Sequence, residues 1–425
     1  MPAAGTARGA LIPAADSIHL AAEHFAAALL YLVAGAAGLV WIAPDLAAGA
    51  YLSPHVAGIT HLFTLGWLTT TIFGALCQLL PVALGAPIRS TRVAHASFWT
   101  FAPGAGLFAA GVASGSTMLH HAGLALVATG VVLAVGNITA SLRRARTRDV
   151  TAAAVALAIT FLASTLVLGV ILVHNLHTGF IAAARIRVLA THLHVAIIGW
   201  ALIMMVGVSH RLLPMFLLAH GADTRWTRRS LMLLASGVVA LATGLVAGAA
   251  PVAWLGVALL EAGVGCFLWQ ASAFHRVRVR RKIDVGMRFA GSALGFLAMS
   301  ALLGPVVLAV GGTHARLATA YVALGLLGGI VLYVVGFFYK IVPLLAWTAR
   351  YRNRIGKGTL PTVAEMFSAR VAHVQLALMV VGVALLATGV GVASTHVARC
   401  GAALFLGGVL LFASQIARIA VGGRS

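Results

Sequence analysis

Acidic residues are scarce in this chain, whose 425 residues include only eight Asp and Glu. Charged residues of both signs make up 9% of the sequence, while hydrophobic residues make up 61% and the mean hydropathy is +1.03. Soluble domains typically carry about 25% charged residues. The composition therefore excludes an ordinary soluble enzyme or soluble binding domain.

Cysteine is also rare. Only Cys77, Cys266 and Cys400 are present, and no two of them form a CxxC pair. This spacing argues against a disulfide framework and against a cysteine-ligated metal site, so we interpret the three as small buried hydrophobic residues. The N-terminal stretch MPAAGTARGALIPAAD lacks a charged region followed by an apolar core, so we expect no cleavable signal peptide.

Apolar runs of membrane-spanning length recur from end to end. A helix needs about 20 apolar residues to cross the hydrocarbon layer, and the sequence predicts twelve such spans, numbered here in chain order. Their predicted bounds are 18–43, 55–84, 95–116, 118–141, 150–175, 190–218, 230–249, 251–274, 287–311, 316–347, 368–391 and 394–420. We therefore expect an all-α polytopic protein with a single membrane domain over residues 1–425.

Three of these spans repeat one motif of two glycines and a proline, at steps of eight and seven residues. It comprises Gly66, Gly74 and Pro81 in span 2, Gly199, Gly207 and Pro214 in span 6, and Gly328, Gly336 and Pro343 in span 10. Self-similarity at a near-constant period indicates a repeat architecture. We interpret it as three pseudo-equivalent four-helix arcs, at about 18–141, 150–274 and 287–420, in which the motif serves helix packing and kinking.

The formal net charge of +21 is distributed unevenly between the two predicted sides of the membrane. All but four of the 29 Lys and Arg fall on one side, and the exceptions are Arg185, Arg187, Arg316 and Arg399. By the positive-inside rule, both termini are expected in the cytoplasm, as in a protein of the bacterial cytoplasmic membrane. The basic loops are expected to contact anionic membrane lipids, and we expect no nucleic-acid partner.

Histidine is the informative polar residue, with 17 copies. His61 and His194 each stand five residues before the first motif glycine, whereas the third copy has Ala323 at that place. The side chains of His192 and His194 diverge by about 200° on a helix, so they would serve two different sites. Neutral imidazole ligates haem iron and copper, which makes these three histidines candidate ligands. The alternative for each is a hydrogen-bonded packing residue.

Other histidines lie near the ends of predicted spans. His174 and His177 share a helical face at the end of span 5, so they are a further candidate metal pair. We expect His120 and His121, in or beside a predicted outer loop, to be solvated loop residues.

The topology, with histidines on the second helix of an arc toward the outer leaflet, resembles subunit I of the haem–copper oxidase superfamily. THLFTLGWLTTTIFGALCQLLPV and HLHVAIIGWALIMMVGVSHRLLPMF are most similar to divergent single-subunit oxidase subunit I-like relatives, and more distantly to NnrS-type haem–copper membrane proteins. The resemblance implies that His61 is an axial ligand of a low-spin haem. It also implies that His192 or His194 ligates copper.

Three departures limit what the resemblance implies. The family has an H-x-H pair in span 10 that ligates both haems, but here Tyr321 and Ala323 occupy the equivalent positions. The adjacent copper-binding histidines near span 7 are missing from residues 231–249, and the family's cross-linked tyrosine has no counterpart. We therefore expect no complete oxygen-reducing binuclear centre.

Four more residues gain candidate roles from the resemblance. Arg185, Arg187 and Arg316 could pair with haem propionates, although ordinary loop charges are the equal alternative. Glu261 is a carboxylate in the middle of span 8, where an unpaired charge is costly. Its two interpretations are a proton relay and a polar residue that holds two helices together.

The sequence thus favours a haem-binding membrane protein, with b-type haem and with copper as a second candidate cofactor. Its expected activity is electron transfer, or binding of a small gas (O₂ or NO), and an oxidoreductase of the haem–copper oxidase type is one version of this activity. The expected partners are an electron donor or other respiratory subunits. A twelve-helix secondary transporter without haem is the alternative, although that class usually shows two six-helix halves. A haem-free structural subunit is a third.

Overall fold

A computed structural model of the chain describes residues 15–422 apart from 220, 222, 280, 312, 313 and 357. The described residues form no β-strand, and they include twelve helices that are long and apolar enough to cross a membrane. These are Ile18–Trp41, Pro54–Leu84, Thr91–Ser114, Thr117–Leu142, Val150–Thr178, Ala182–Leu217, Arg225–Ala247, Ala250–Arg276, Val285–Val310, Ala315–Arg354, Ala369–Gly391 and Thr395–Val421. The chain is an all-α, multi-pass membrane protein, and the predicted fold class is confirmed.

The largest differences from the predicted bounds occur at the polar ends of spans 6 and 10. Span 6 begins at Ala182 rather than 190, because a 3₁₀ turn, Ala182–Ala184, leads into a helix that carries Arg185 and Arg187. Span 10 continues past 347 to Arg354. In both places the helical backbone extends beyond the apolar run on which the prediction rested.

The three motif-bearing spans lie innermost. In spans 2, 6 and 10 the most apolar window is 72, 56 and 72% buried by protein, whereas in the other nine spans it is at most 50% buried. The remaining helices surround them. Spans 3 and 4, 7 and 8, and 11 and 12 form closely packed antiparallel pairs, and spans 4 and 5, 8 and 9, and 12 and 1 also touch.

One hydrogen-bonding arrangement occurs in all three closely packed pairs. A buried side-chain amide in the second helix donates to a backbone carbonyl 47 residues earlier, at the start of the first helix, over 2.8 or 2.9 Å. The amides belong to Asn137, Gln270 and Gln415, and the carbonyls to Ser90, Asp223 and Ser368. These bonds hold together the ends of each pair.

Each inner span also contains an eight-residue π-helical segment at the same place in the motif. The segments are Leu62–Thr69, Val195–Leu202 and Leu324–Val331. The first motif glycine lies in each of them and packs on an aromatic ring. A Cβ at Gly66 would lie 2.5 Å from Tyr31, and one at Gly199 would lie 2.7 Å from Phe161. The sequence did not predict these π turns, which occur frequently at functional sites.

Candidate functional site

His61 and His194 are the residues that immediately precede the π segments of spans 2 and 6. The Nδ1 atom of His61 lies 2.7 Å from the Ala57 carbonyl oxygen, and that of His194 lies 2.7 Å from the Ala190 carbonyl oxygen. A carbonyl oxygen only accepts, so each neutral ring must donate its Nδ1–H. The lone pair is therefore on Nε2, which is the tautomer of a ligand that binds through Nε2.

His61 and His194 are both half-buried, so each keeps some accessible surface. Six residues further along each span, Trp67 and Trp200 are buried. The indole N–H of Trp200 donates to Thr69 Oγ1 over 3.0 Å, so spans 2 and 6 are tied together next to the histidines.

Tyr321 of span 10 contacts His194 directly. Its hydroxyl lies 3.3 Å from His194 Nε2, and the two rings are stacked with their centroids 6.0 Å apart. Since that Nε2 carries no proton, the tyrosine hydroxyl must be the donor. The sequence assigned Tyr321 only as a missing ligand, whereas the structure makes it the partner of the span 6 histidine.

Glu261 of span 8 lies close to the Tyr321 ring. A Cβ at Gly304 of span 9 would lie 3.2 Å from Glu261 Oε1 and 3.8 Å from Tyr321 Cε2. The carboxyl group and the phenol are thus neighbours that interact electrostatically. Glu261, Tyr321 and His194 form a polar series that connects span 8, through span 10, to span 6.

His192 faces a different part of the bundle. Its Cε1 is 3.4 Å from the position of a Cβ at Gly169 of span 5, and the backbone of Thr165 lies nearby. Its Nδ1 is buried and has no hydrogen bond of good geometry among the described residues, but the ring interacts with the Thr165 backbone. The ring also interacts electrostatically with His61. The two histidines of span 6 therefore have different surroundings.

His120 is a correction to the sequence prediction. It is only 6% exposed, and its Nε2 has no hydrogen-bond partner among the described residues. The Phe108 ring stands between His61 and His120, with centroid distances of 5.0 and 5.2 Å. The prediction of a solvated loop residue was wrong because the start of span 4 packs closely on span 3, where a Cβ at Gly111 would lie 2.3 Å from the His120 backbone nitrogen.

His174 and His177 do not act on a common point. Both are exposed; the His174 ring lies 5.3 Å from Phe180, whereas the His177 ring lies 4.8 Å from His121. Among the described residues, no group of three or more His, Cys, Asp or Glu is arranged to hold a metal ion. A preformed copper site is thus not found in the described part of the chain.

The three arginines proposed for haem propionates are all exposed at the starts of spans 6 and 10. Arg187 packs against Gly248, and Arg316 packs against Gly49. No contact in the described structure joins Arg185, Arg187 or Arg316 to the histidines. Their role with propionates stays a prediction.

The sequence matches no protein-family model, and it matches no curated protein. The structure shows a multi-pass membrane protein, with twelve membrane-spanning helices among the described residues.

Proposed function

We propose that the chain is a haem-binding protein of the bacterial cytoplasmic membrane, with both termini in the cytoplasm, that transfers electrons or binds O₂ or NO. The observation that carries this proposal is the state of His61. Its Nδ1–H is committed to the Ala57 carbonyl, and its Nε2 has no hydrogen-bond partner among the described residues. A neutral imidazole with a free Nε2, half-buried in the bundle, has the donor chemistry of a ligand to haem iron.

His192 is the better second ligand. The Nε2 of His194 already accepts a hydrogen bond from Tyr321, so its lone pair is engaged. The His192 ring interacts electrostatically with His61 and with the Thr165 backbone, and no side chain hydrogen-bonds to it among the described residues. Unlike His194, it therefore keeps a nitrogen lone pair available to a ligand.

The other predicted residues take supporting parts in this proposal. A bound haem would supply one-electron chemistry or an open iron position for a gas. The Ala57 carbonyl fixes the His61 ring, and Arg185, Arg187 and Arg316 are candidates for the propionates. Glu261 and Tyr321 are placed to pass a proton toward His194. We do not propose a complete binuclear centre. The proposed partners are an electron donor or other respiratory subunits.

The test is the visible spectrum of dithionite-reduced protein that has been produced with ample haem. We expect a Soret band in the wild type, its loss in His61→Ala, and partial recovery when free imidazole is added to that variant. His373→Ala is the matched control. His373 makes the same bond to a carbonyl four residues earlier, in Ala369, but it is exposed.

The second ligand is tested on the same preparations. His192→Ala should convert a low-spin spectrum to a high-spin one, whereas His194→Ala should leave the spin state unchanged. The reverse pattern would assign the second ligand to His194. Folded wild-type protein without a Soret band would refute haem binding and leave the transporter interpretation.

A further inference from the structure

An open groove of about 730 Å³ lies between spans 8 and 9, at the end of the bundle where span 8 finishes and span 9 begins. Its apolar wall includes Leu268, Ala271 and Leu294. Two exposed glycines of span 9, Gly291 and Gly295, also line it. Gly295 is ten residues into its helix, which corresponds to a depth of about 15 Å.

The two glycines keep the groove open. A Cβ built at Gly291 or at Gly295 would meet no other atom within 4 Å. No neighbouring side chain therefore fills the space that these residues leave. An open, largely apolar groove that runs along a membrane-spanning helix can take an acyl chain.

Cationic side chains stand at one end of this groove. Arg276 donates from Nη2 to Ser272 Oγ over 3.0 Å, and its guanidinium lies 5.0 Å from the centroid of the Trp269 ring. Arg278 donates from Nη1 to the His275 carbonyl oxygen over 2.5 Å. Its backbone pairs with Ala219 in an isolated β-bridge. Both arginines are exposed at this end of the groove, where a ligand can reach them.

The charge in the groove has one sign. Of the described residues that line it, none is acidic, while Arg276, Arg278 and His275 are basic. A guanidinium fork matches the oxygen geometry of a phosphate. Phosphate at the helix end and hydrocarbon along the glycines together describe a single amphipathic ligand.

We propose that this groove is a binding site for one anionic phospholipid, with its phosphate on Arg276 and Arg278 and an acyl chain along Gly291 and Gly295. The site is separate from the candidate haem ligands His61, His192 and His194, and it does not depend on haem binding. It is a defined position at the contact between spans 8 and 9, in addition to the general attraction of basic loops to anionic lipid.

The experiment titrates the delipidated full-length protein with phosphatidylglycerol and reads one-to-one binding by native mass spectrometry. Each cation near an anionic lipid surface contributes roughly a fivefold gain in affinity, so Arg276→Gln with Arg278→Gln should weaken binding about 30-fold. Arg143→Gln with Arg144→Gln is the control, since it removes the same charge from another exposed basic loop. That control should change the dissociation constant less than threefold, within about 0.6 kcal/mol.

A second arm tests the groove rather than the charge. Gly291→Leu with Gly295→Leu should fold normally, because the added side chains enter open space, but it should block the acyl chain and abolish one-to-one binding. Gly136→Leu is the matched control, as it too adds a side chain where nothing lies within 4 Å. Equal binding of zwitterionic phosphatidylcholine, equal binding by the glycine variant, or equal displacement of the lipid by inorganic phosphate would each overturn the proposal.

Discussion

The hydrogen bond between Tyr321 and His194 predicts a measurable coupling between spans 10 and 6. At 3.3 Å it is longer than most O–H donors make, so it belongs at the weak end of side-chain hydrogen bonds. Hydrogen bonds between transmembrane helices couple by about 0.6 kcal/mol on average and by at most about 1.7 kcal/mol. We expect a coupling of about 0.5 kcal/mol, and a loss of about 1 kcal/mol for Tyr321→Phe alone, which leaves Nε2 without its donor.

The assay is a double-mutant cycle with Tyr321→Phe and His194→Leu, in which unfolding is followed by titration with a denaturing detergent. A second cycle supplies the scale. The Tyr333 and Ser209 hydroxyls lie 2.6 Å apart, and both residues are buried. That shorter contact should give a coupling energy of about 1 to 1.5 kcal/mol. Both coupling energies are thus predicted to be stabilising, and the one between Tyr333 and Ser209 is predicted to be the larger.

A coupling of zero between Tyr321 and His194, measured beside a positive coupling between Tyr333 and Ser209, would refute the assignment of the tyrosine as donor. It would also remove the reason for preferring His192 as the second ligand, because the His194 lone pair would then be free. The stability measurement thus bears directly on the proposed site without requiring bound haem.

Two further predictions concern buried polar groups. Gln270→Leu should destabilise the protein by about 2 kcal/mol, because Gln270, 1% exposed, donates one hydrogen bond to the start of span 7 and accepts another from it. Thermal unfolding measures this loss. The control is Ser236→Ala, which should change stability little because the Ser236 hydroxyl is exposed and bonded only within its own helix. Glu261→Gln should leave the haem spectrum unchanged but lower proton uptake on haem reduction in vesicles, as followed with a pH-sensitive dye. Unchanged uptake would instead make Glu261 a packing residue.

The sequence predicted the membrane helices closely, because span length is dictated by the thickness of the hydrocarbon layer. Apolar runs gave all twelve spans, and the positions of His61 and His194 relative to the motif glycines predicted that the two residues would be equivalent. In the structure they make the same bond to a carbonyl four residues earlier and stand before equivalent π segments. The equivalence of the histidines was therefore readable from spacing alone.

The partners of those histidines could not be read in this way. The contact between Tyr321 and His194 joins residues 127 positions apart, and it depends on which helices meet inside the bundle. The π turns were not predicted either, because a long apolar run predicts a helix but not whether its hydrogen bonds span four or five residues. His120 was misplaced because its burial also depends on which helices meet, since span 4 packs there on Phe108 and Gly111 of span 3.

Function in this chain is best sought where the three motif copies differ. The hydrogen bonds from a side-chain amide to a carbonyl 47 residues earlier recur in all three helix pairs, and the π segments recur in all three inner spans. These shared features therefore serve the scaffold. The residues before the π segments do not recur: two are histidines and the third is Ala323. Tyr321, at the place of His192 in the third copy, donates to the second copy's His194. Within the described part of the chain, one scaffold thus presents His61 and His192 without a side-chain hydrogen-bond partner and His194 engaged by Tyr321, and the proposed choice of His61 and His192 as the ligand pair rests on that difference.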